Sequence, residues 1–255
     1  MGLPKIFAHR GYRAKYPENT AIAFQKAVSL GVHGIELDVR LTRDGIGVVV
    51  HDGAVDRTSD GTGNVEEMSL NKIKALDAGK WLAEEFACQR FLTLDEVLAL
   101  LPPPIQLNIH LKSTPTSLEK LVEYVAAAVV EHRILRTSFL SCERLPLERA
   151  KQIEPRLRGC YLGPHPRNTL QFTEESLSLG CDTIQLPHEQ VHADFVAQAH
   201  HRGIAVNALH LATSTDRESQ TDKREVSRRL IQSNVNGVIT DYPDFWLEMT
   251  RRDGE

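Results

Sequence analysis

The chain is poor in the features that mark several large classes of protein. Its four cysteines, Cys88, Cys142, Cys160 and Cys181, form no C-x-x-C pair. That excludes zinc-ribbon and thioredoxin-like spacings. They read instead as small buried hydrophobes in a reducing compartment. The longest apolar run, Val125 to Val130, is far short of the roughly 20 residues of a membrane span. No long apolar stretch follows Met1-Gly2-Leu3-Pro4-Lys5, so no signal peptide is read and a soluble, cytoplasmic protein is expected. A basic excess is also missing. The 30 Lys and Arg against 34 Asp and Glu leave a net charge of −4, which argues against nonspecific nucleic-acid binding.

What is present suits one large folded unit. The 255 residues are 41% hydrophobic and 25% charged, a balance that argues against disorder. A β/α barrel takes about 250 residues. Short strand-like runs alternate with longer helical ones. The strands are read at Lys5–Ala8, Gly34–Leu41, Ile105–Leu111, Arg136–Leu140, Arg158–Leu162, Thr183–Leu186, Ile204–Leu209 and Val238–Thr240. Helical periodicity fills the gaps, as at 19–30, where Asn19 is read as the N-cap and Gly31 as the stop, and at 93–101, capped by Thr93. Strict alternation points to parallel pairing, and eight units suggest a closed (β/α)8 TIM barrel. An open doubly wound sheet is the competing reading. One polar, turn-rich excursion at 53–90 follows the second strand as a small insertion. No linker divides the chain, so 1–255 is read as a single domain.

Two strands break the continuous apolar code expected of strands buried on both faces. Ile35, Leu37 and Val39 share one face of the second strand, and Glu36, Asp38 and Arg40 the other. In the third, Leu107, Ile109 and Leu111 oppose Asn108, His110 and Lys112. The charged faces would point into the top of the barrel. Glu36 and Asp38 lie about 6.5–7 Å apart at Cα, and such carboxylates repel unless one is protonated or a cation intervenes. A hard divalent ion bound through oxygen answers this. An interior salt-bridge network with Arg40 and Lys112 answers it equally well. His9 and His51 fall where top-face loops begin, the place barrels put their chemistry, and imidazole suits proton transfer near neutral pH.

At these residues the sequence resembles the glycerophosphodiester phosphodiesterase family. His9-Arg10-Gly11 with Pro17-Glu18-Asn19-Thr20 is similar to its first signature. Glu36-Leu37-Asp38-Val39, Thr42-Arg43-Asp44-Gly45 and Val49-Val50-His51-Asp52 are similar to the second. Asp56-Arg57-Thr58 and Gly61-Thr62-Gly63 resemble the start of the family's insertion, Leu92 to Val97 its end, and Thr240-Asp241-Tyr242-Pro243 the last strand. The resemblance spans essentially the whole chain. It implies a (β/α)8 barrel that hydrolyses glycerophosphodiesters to glycerol 3-phosphate and an alcohol. It also implies His9 and His51 as the acid–base pair, Arg10 and Lys112 as phosphate-binding groups, and Glu36 and Asp38 as ligands of one divalent metal ion.

One departure bears on that ion. Where the family usually has a glutamate two residues before the lysine, this chain has His110. Three outcomes stay open: His110 as a ligand, a two-carboxylate site completed by water, or a degenerate site. Mg²⁺ or Ca²⁺ is the first expectation, with Zn²⁺ or Mn²⁺ plausible through His110. The top of the seventh strand, Ala208-Leu209-His210-Leu211, lacks the family's usual tryptophan and threonine, which leaves His210 a candidate substrate contact. Gln185 and Ser138 are weaker pocket candidates. The expected partner is a small phosphodiester, with no nucleic acid and no integral membrane segment. Competing functions are a phospholipase D-like diesterase acting on lysolipids and a non-catalytic phosphate-ester binding barrel.

Overall fold

Alternation of apolar and polar residues within the strands builds the molecule. The computed structural model describes residues 2–163, 169–211 and 220–252. The strands are β1 (Lys5–His9), β2 (Gly34–Leu41), β3 (Gly47–Val49), β4 (Gln106–Leu111), β5 (Ser138–Cys142), β6 (Gly159–Tyr161), β7 (Thr183–Pro187), β8 (Ala205–His210) and β9 (Gly237–Thr240). The helices are α1 (Ala21–Leu30), α2 (Leu70–Ala75), α3 (Leu94–Leu100), α4 (Leu118–Glu131), α5 (Arg144–Ile153), α6 (Thr169–Ser178), α7 (Ala193–His201), α8 (Gln220–Gln232) and α9 (Pro243–Arg252).

All strands but β3 pair in parallel, in the order β1-β9-β8-β7-β6-β5-β4-β2. β1 also pairs with β2, Phe7 opposite Gly34 and His9 opposite Glu36. The sheet therefore closes into a (β/α)8 barrel, as the eight alternating units predict. Outward-facing strand residues such as Ile35, Leu37, Val39, Leu107, Ile109 and Leu111 pack under the helices in the main core. Inside the barrel, Phe7, Phe139, Cys160 and Ile239 form a separate apolar plug, with Phe7 and Phe139 meeting edge to face. Gly34 is needed there. A Cβ would lie 2.4 Å from the Phe7 ring and 2.8 Å from the Gln106 carbonyl oxygen.

Beside the plug lies a polar set, with Asn108 opposite Phe139 in register. Asn108 donates to Gln185 Oε1 at 2.8 Å and accepts from the Ser141 hydroxyl. Ser138 is not part of it: its hydroxyl donates to the Ile134 carbonyl at 2.8 Å. Gln185 is thus retained as a residue of the barrel interior, whereas Ser138 is a local tie at the start of β5.

β3 turns back antiparallel on β2, with Val39 opposite Val49. The Thr42–Gly45 turn permits this, with Gly45 at φ +81° and Thr42 Oγ1 donating to Asp44 at 2.6 Å. The polar stretch that follows contains 3-10 turns at Val65–Glu67 and Glu84–Phe86. It closes on its own small core of Val48, Val50, Val55, Val65, Met68, Ile73, Ala78 and Phe91.

Two local expectations change. Thr20, not Asn19, occupies the N-cap of α1; Asn19 sits at φ +57° and turns its side chain to Asp38. Gly31 does end α1 in the left-handed region, and Thr93 forms a full capping box with Glu96. Three cysteines are buried, but Cys88 is exposed, because it belongs to the turn-rich excursion rather than to a strand. No helix among the described residues is long and apolar enough to cross a membrane.

Candidate active site

The C-terminal ends of β1, β2 and β4 and the loop after β3 converge on one cavity of about 410 Å³. His9, Arg10, Glu36, Asp38, His51, His110 and Lys112 all line it. The seven residues singled out in the sequence are therefore brought together. Leu162, Leu209, Leu211 and Ile239 form the opposite wall, with Gln185 and Glu143. The cavity is charged on one side and mostly apolar on the other, where Glu143 and Gln185 are the polar lining residues.

Backbone geometry aims the first two residues. Arg10 (φ +53°) and Gly11 (φ +79°) are both left-handed, which turns the chain sharply as it leaves β1. For a non-glycine residue that conformation costs on the order of 1–3 kcal/mol. A Cβ on Gly11 would lie 2.8 Å from the Ala23 backbone. The turn lets His9 and Arg10 both reach the cavity. Arg10 Nη1 donates to Glu18 at 2.8 Å, and Nε lies 3.2 Å from Asp38 Oδ2. Burial works against the guanidinium charge, but Asp38, Glu18 and Glu36 together raise its pKa.

Each histidine is held by a carboxylate. His9 Nδ1 lies 2.7 Å from Asp241 Oδ1, and His51 Nδ1 lies 2.6 Å from Asp52 Oδ1. An ionised carboxylate only accepts, so both Nδ1 atoms carry the proton and both Nε2 atoms are left for the cavity. His9 Nε2 is 3.7 Å from Glu36 Oε2, and His51 Nε2 is 3.3 Å from Lys112 Nζ. Burial, with the Arg10 and Arg13 charges, lowers the His9 pKa against the raising effect of Asp241; burial, with Arg10 and Lys112, lowers that of His51 against Asp38 and Asp52. Burial likewise lowers the Lys112 pKa, against the raising effect of Asp38.

Glu36, Asp38 and His110 each offer a ligand atom within 4.8 Å of the others. His110 Nδ1 is 3.2 Å from Asp38 Oδ1 and 4.0 Å from Glu36 Oε1. Burial and the neighbouring Asp38 charge push the Glu36 pKa well up. Asp38 stays depressed despite burial, because the His110 imidazole and Arg10 outweigh it. Asp38 Oδ1 and Arg10 Nε are buried without a hydrogen-bond partner: their neighbours are close but lie off the bonding directions. Buried polar atoms are almost always satisfied. An orphaned carboxylate oxygen beside a second carboxylate and an imidazole fits a cation, and an orphaned guanidinium nitrogen beside them fits an anion.

Other expectations are corrected. Arg40 does not enter the cavity. It bends over the rim, where Nε donates to the His51 carbonyl at 2.8 Å and Nη1 to the Lys112 carbonyl at 3.2 Å. It fixes two site backbones instead of neutralising the carboxylates. His210 faces the helices, not the cavity. It is fully buried and accepts from Trp246 Nε1 at 2.9 Å, while Leu209 and Leu211 line the cavity. Asp241 and Asp52, which lie within the family-like motifs, are the partners of the two histidines, a pairing that no local pattern announces for Asp241. For Asp52, adjacency to His51 was the available signal.

The chain matches the glycerophosphoryl diester phosphodiesterase family model over residues 9–245. It is 34% identical over 254 residues to a glycerophosphodiester phosphodiesterase of Caldanaerobacter subterraneus subsp. tengcongensis, covering 98% of both chains. It is 31% identical to one from Bacillus altitudinis, covering 95% of this chain and 96% of that one. Among solved structures, an Oleispira antarctica phosphodiesterase in complex with the product sn-glycerol-3-phosphate superposes with a TM-score of 0.84 at 26% identity, over 98% of this chain and 97% of that one. The chain belongs to the glycerophosphoryl diester phosphodiesterase family.

Proposed function

We propose that this chain hydrolyses glycerophosphodiesters to glycerol 3-phosphate and an alcohol, using His9 and His51 as its acid–base pair. The observation that carries this is the single cavity in which two carboxylate-held imidazoles face two carboxylates, an arginine and a lysine. Phosphodiester cleavage needs a proton removed from the nucleophile, a proton given to the leaving alcohol, and charge stabilised on the phosphoryl oxygens. Asp241 and Asp52 keep both Nε2 atoms directed at the reacting group. Arg10 and Lys112 supply positive charge to the phosphoryl oxygens. The Leu162, Leu209, Leu211 and Ile239 wall offers the rest of the substrate an apolar surface. A divalent ion held by Glu36, Asp38 and His110 would add Lewis-acid stabilisation of the same oxygens.

His110 bears on which ion. Two carboxylate oxygens and one imidazole nitrogen suit Mn²⁺ or Zn²⁺ better than an all-oxygen set would, at the expense of Mg²⁺ and Ca²⁺. The 53–90 segment is read as an accessory of one catalytic domain spanning 1–255.

Turnover of glycerophosphocholine by metal-reconstituted protein tests the activity. His9→Ala and His51→Ala should each lower kcat by about 10²–10⁴-fold with the fold intact by circular dichroism. Wild-type rates in both variants, or tight binding with no product under any divalent ion, would overturn the reading. Metal analysis of wild type and His110→Glu tests the ligand set. The variant should gain preference for Mg²⁺ or Ca²⁺, and an unchanged metal preference would remove His110 from it.

A further inference from the structure

We infer that Arg57, carried by the segment after β3, is a positioning residue of the reaction: it couples the His51–Asp52 pair to Glu18 and Arg10 on the other side of the cavity. Arg57 lies in a rigid turn. Val55 before it is fully buried and Thr58 and Ser59 after it are nearly so. Val55 N donates to the Gly63 carbonyl at 3.0 Å, Ser59 Oγ to the Val55 carbonyl at 2.8 Å, and Gly63 N to Asp56 at 3.0 Å. The small core beneath this turn is shared with β3 through Val48. The backbone of Arg57 is thus fixed relative to the strand that delivers His51.

All three guanidinium nitrogens are used. Nε donates to Asp52 Oδ2 at 2.6 Å. Nη1 and Nη2 donate to the two oxygens of Glu18 at 3.0 and 2.8 Å. The other Asp52 oxygen is the one that holds His51, and Glu18 in turn accepts from Arg10. A continuous chain results: His51, Asp52, Arg57, Glu18, Arg10, Asp38. Burial alone would raise the Glu18 and Asp52 pKa values. The Arg57 hydrogen bonds, with Arg10 and Arg13 beside Glu18 and His51 beside Asp52, hold each down at about 2. Both therefore stay ionised acceptors throughout the working pH range.

The consequence is geometric. Asp52 is one residue from His51 and about a third exposed, so alone it is free to rotate toward solvent. Arg57 removes that freedom and keeps Oδ1 on Nδ1, leaving Nε2 aimed at the cavity and at Lys112. The other charges around His51, from Asp38, Arg10 and Lys112, come from β2, the turn after β1 and the end of β4, and none of them bonds Nδ1. A lysine cannot replace the fork, since a single ammonium does not bridge two carboxylates in this way.

The inference rests on His51 as an acid–base group, so the experiment includes His51→Ala. Arg57→Gln should lower kcat about 10–100-fold, as loss of an orienting partner does, with KM for glycerophosphocholine and metal content unchanged. Arg57→Lys should recover little of the loss. Asp52→Asn should fall similarly, and the double variant should be no worse than the weaker single, because both act on one orientation. If Arg57→Gln unfolds, Glu18→Gln breaks the same link from its other end. A wild-type kcat in Arg57→Gln, a raised KM with kcat unchanged, or additive losses with Asp52→Asn would overturn the inference. If His51→Ala is fully active, the acid–base reading itself fails, and that result is distinct from a failure at Arg57 alone.

Discussion

At the scale of single residues, the structure holds two cavity imidazoles through their far nitrogens. Asp241 does for His9 what Asp52 does for His51, and it is only 1% exposed. Asp241→Asn replaces an acceptor with an amide that can present its NH₂ to Nδ1 and favour the wrong tautomer. We expect kcat to drop about 10–100-fold with little change in thermal midpoint, and steady-state kinetics at fixed metal saturation would check it. An unchanged kcat would show that His9 needs no such partner. Much of this site was legible in the sequence because charged residues stood at inward positions of strands that should read as apolar. Asp241 was not paired with His9 because 232 positions separate them, and only the closed fold makes them neighbours. Arg40 was misassigned for a different reason. The alternation continues to the end of β2, but its last residues pair with β3 at the rim, where a long side chain bends away from the interior.

At the scale of elements, alternation sorted β2 and β4 correctly into a helix-facing and a cavity-facing set, because both faces carried several residues of one kind. β8 was harder. Ala205 to His210 carries two polar residues of opposite parity, Asn207 and His210, so alternation alone names no inward face; Asn207 shares the face of the cavity-lining Leu209, and His210 takes the other. It accepts from the Trp246 indole of α9. The plug inside the barrel was not readable either, since Phe7, Phe139, Cys160 and Ile239 come from four separate strands. It makes a firm prediction. Gly34→Ala places a methyl group against the Phe7 ring and the Gln106 carbonyl, and the backbone contact cannot relax by rotamer change. Overpacking of this kind costs about 1–3 kcal/mol. Urea unfolding should show the loss, and because Phe7 lies two residues before His9, kcat should fall with it. A variant as stable as wild type would mean that β1 and β2 separate more easily than their paired register suggests.

At the scale of the whole molecule, the ionisable groups pull stability in two directions. His9 and His51 have folded pKa values below the ordinary 6.5, so the unfolded chain binds protons first and stability falls as pH drops below that value. Glu18 and Asp52, at about 2 when folded against ordinary values of 4.5 and 3.8, extend the loss through that lower window. Glu36 has the opposite sign. Its raised folded pKa means that the folded state gains by protonating it, and its ionised form is a burden at higher pH. A divalent ion competes with that proton. The thermal midpoint should therefore rise on adding Mn²⁺, by an amount equivalent to about 2.7 kcal/mol at a hundredfold excess over Kd, and rise more at pH 8 than at pH 5. A midpoint shift independent of pH would argue that the ion does not sit on Glu36. In a Glu36→Gln variant the pH dependence of the metal effect should flatten.

The His9–Asp241 bond lies across the seam where β1 meets the last strand. Nearly the whole chain must be threaded and docked before those two side chains meet. Turnover is in that sense a report on closure: a barrel with its final strand detached would keep Glu36, Asp38, His51, His110 and Lys112 in place and still lack one oriented imidazole. On the proposed acid–base role of His9, an incompletely wound chain is silent, and a fragment ending before β9 should regain hydrolysis only when the missing strand is supplied to complete the ring.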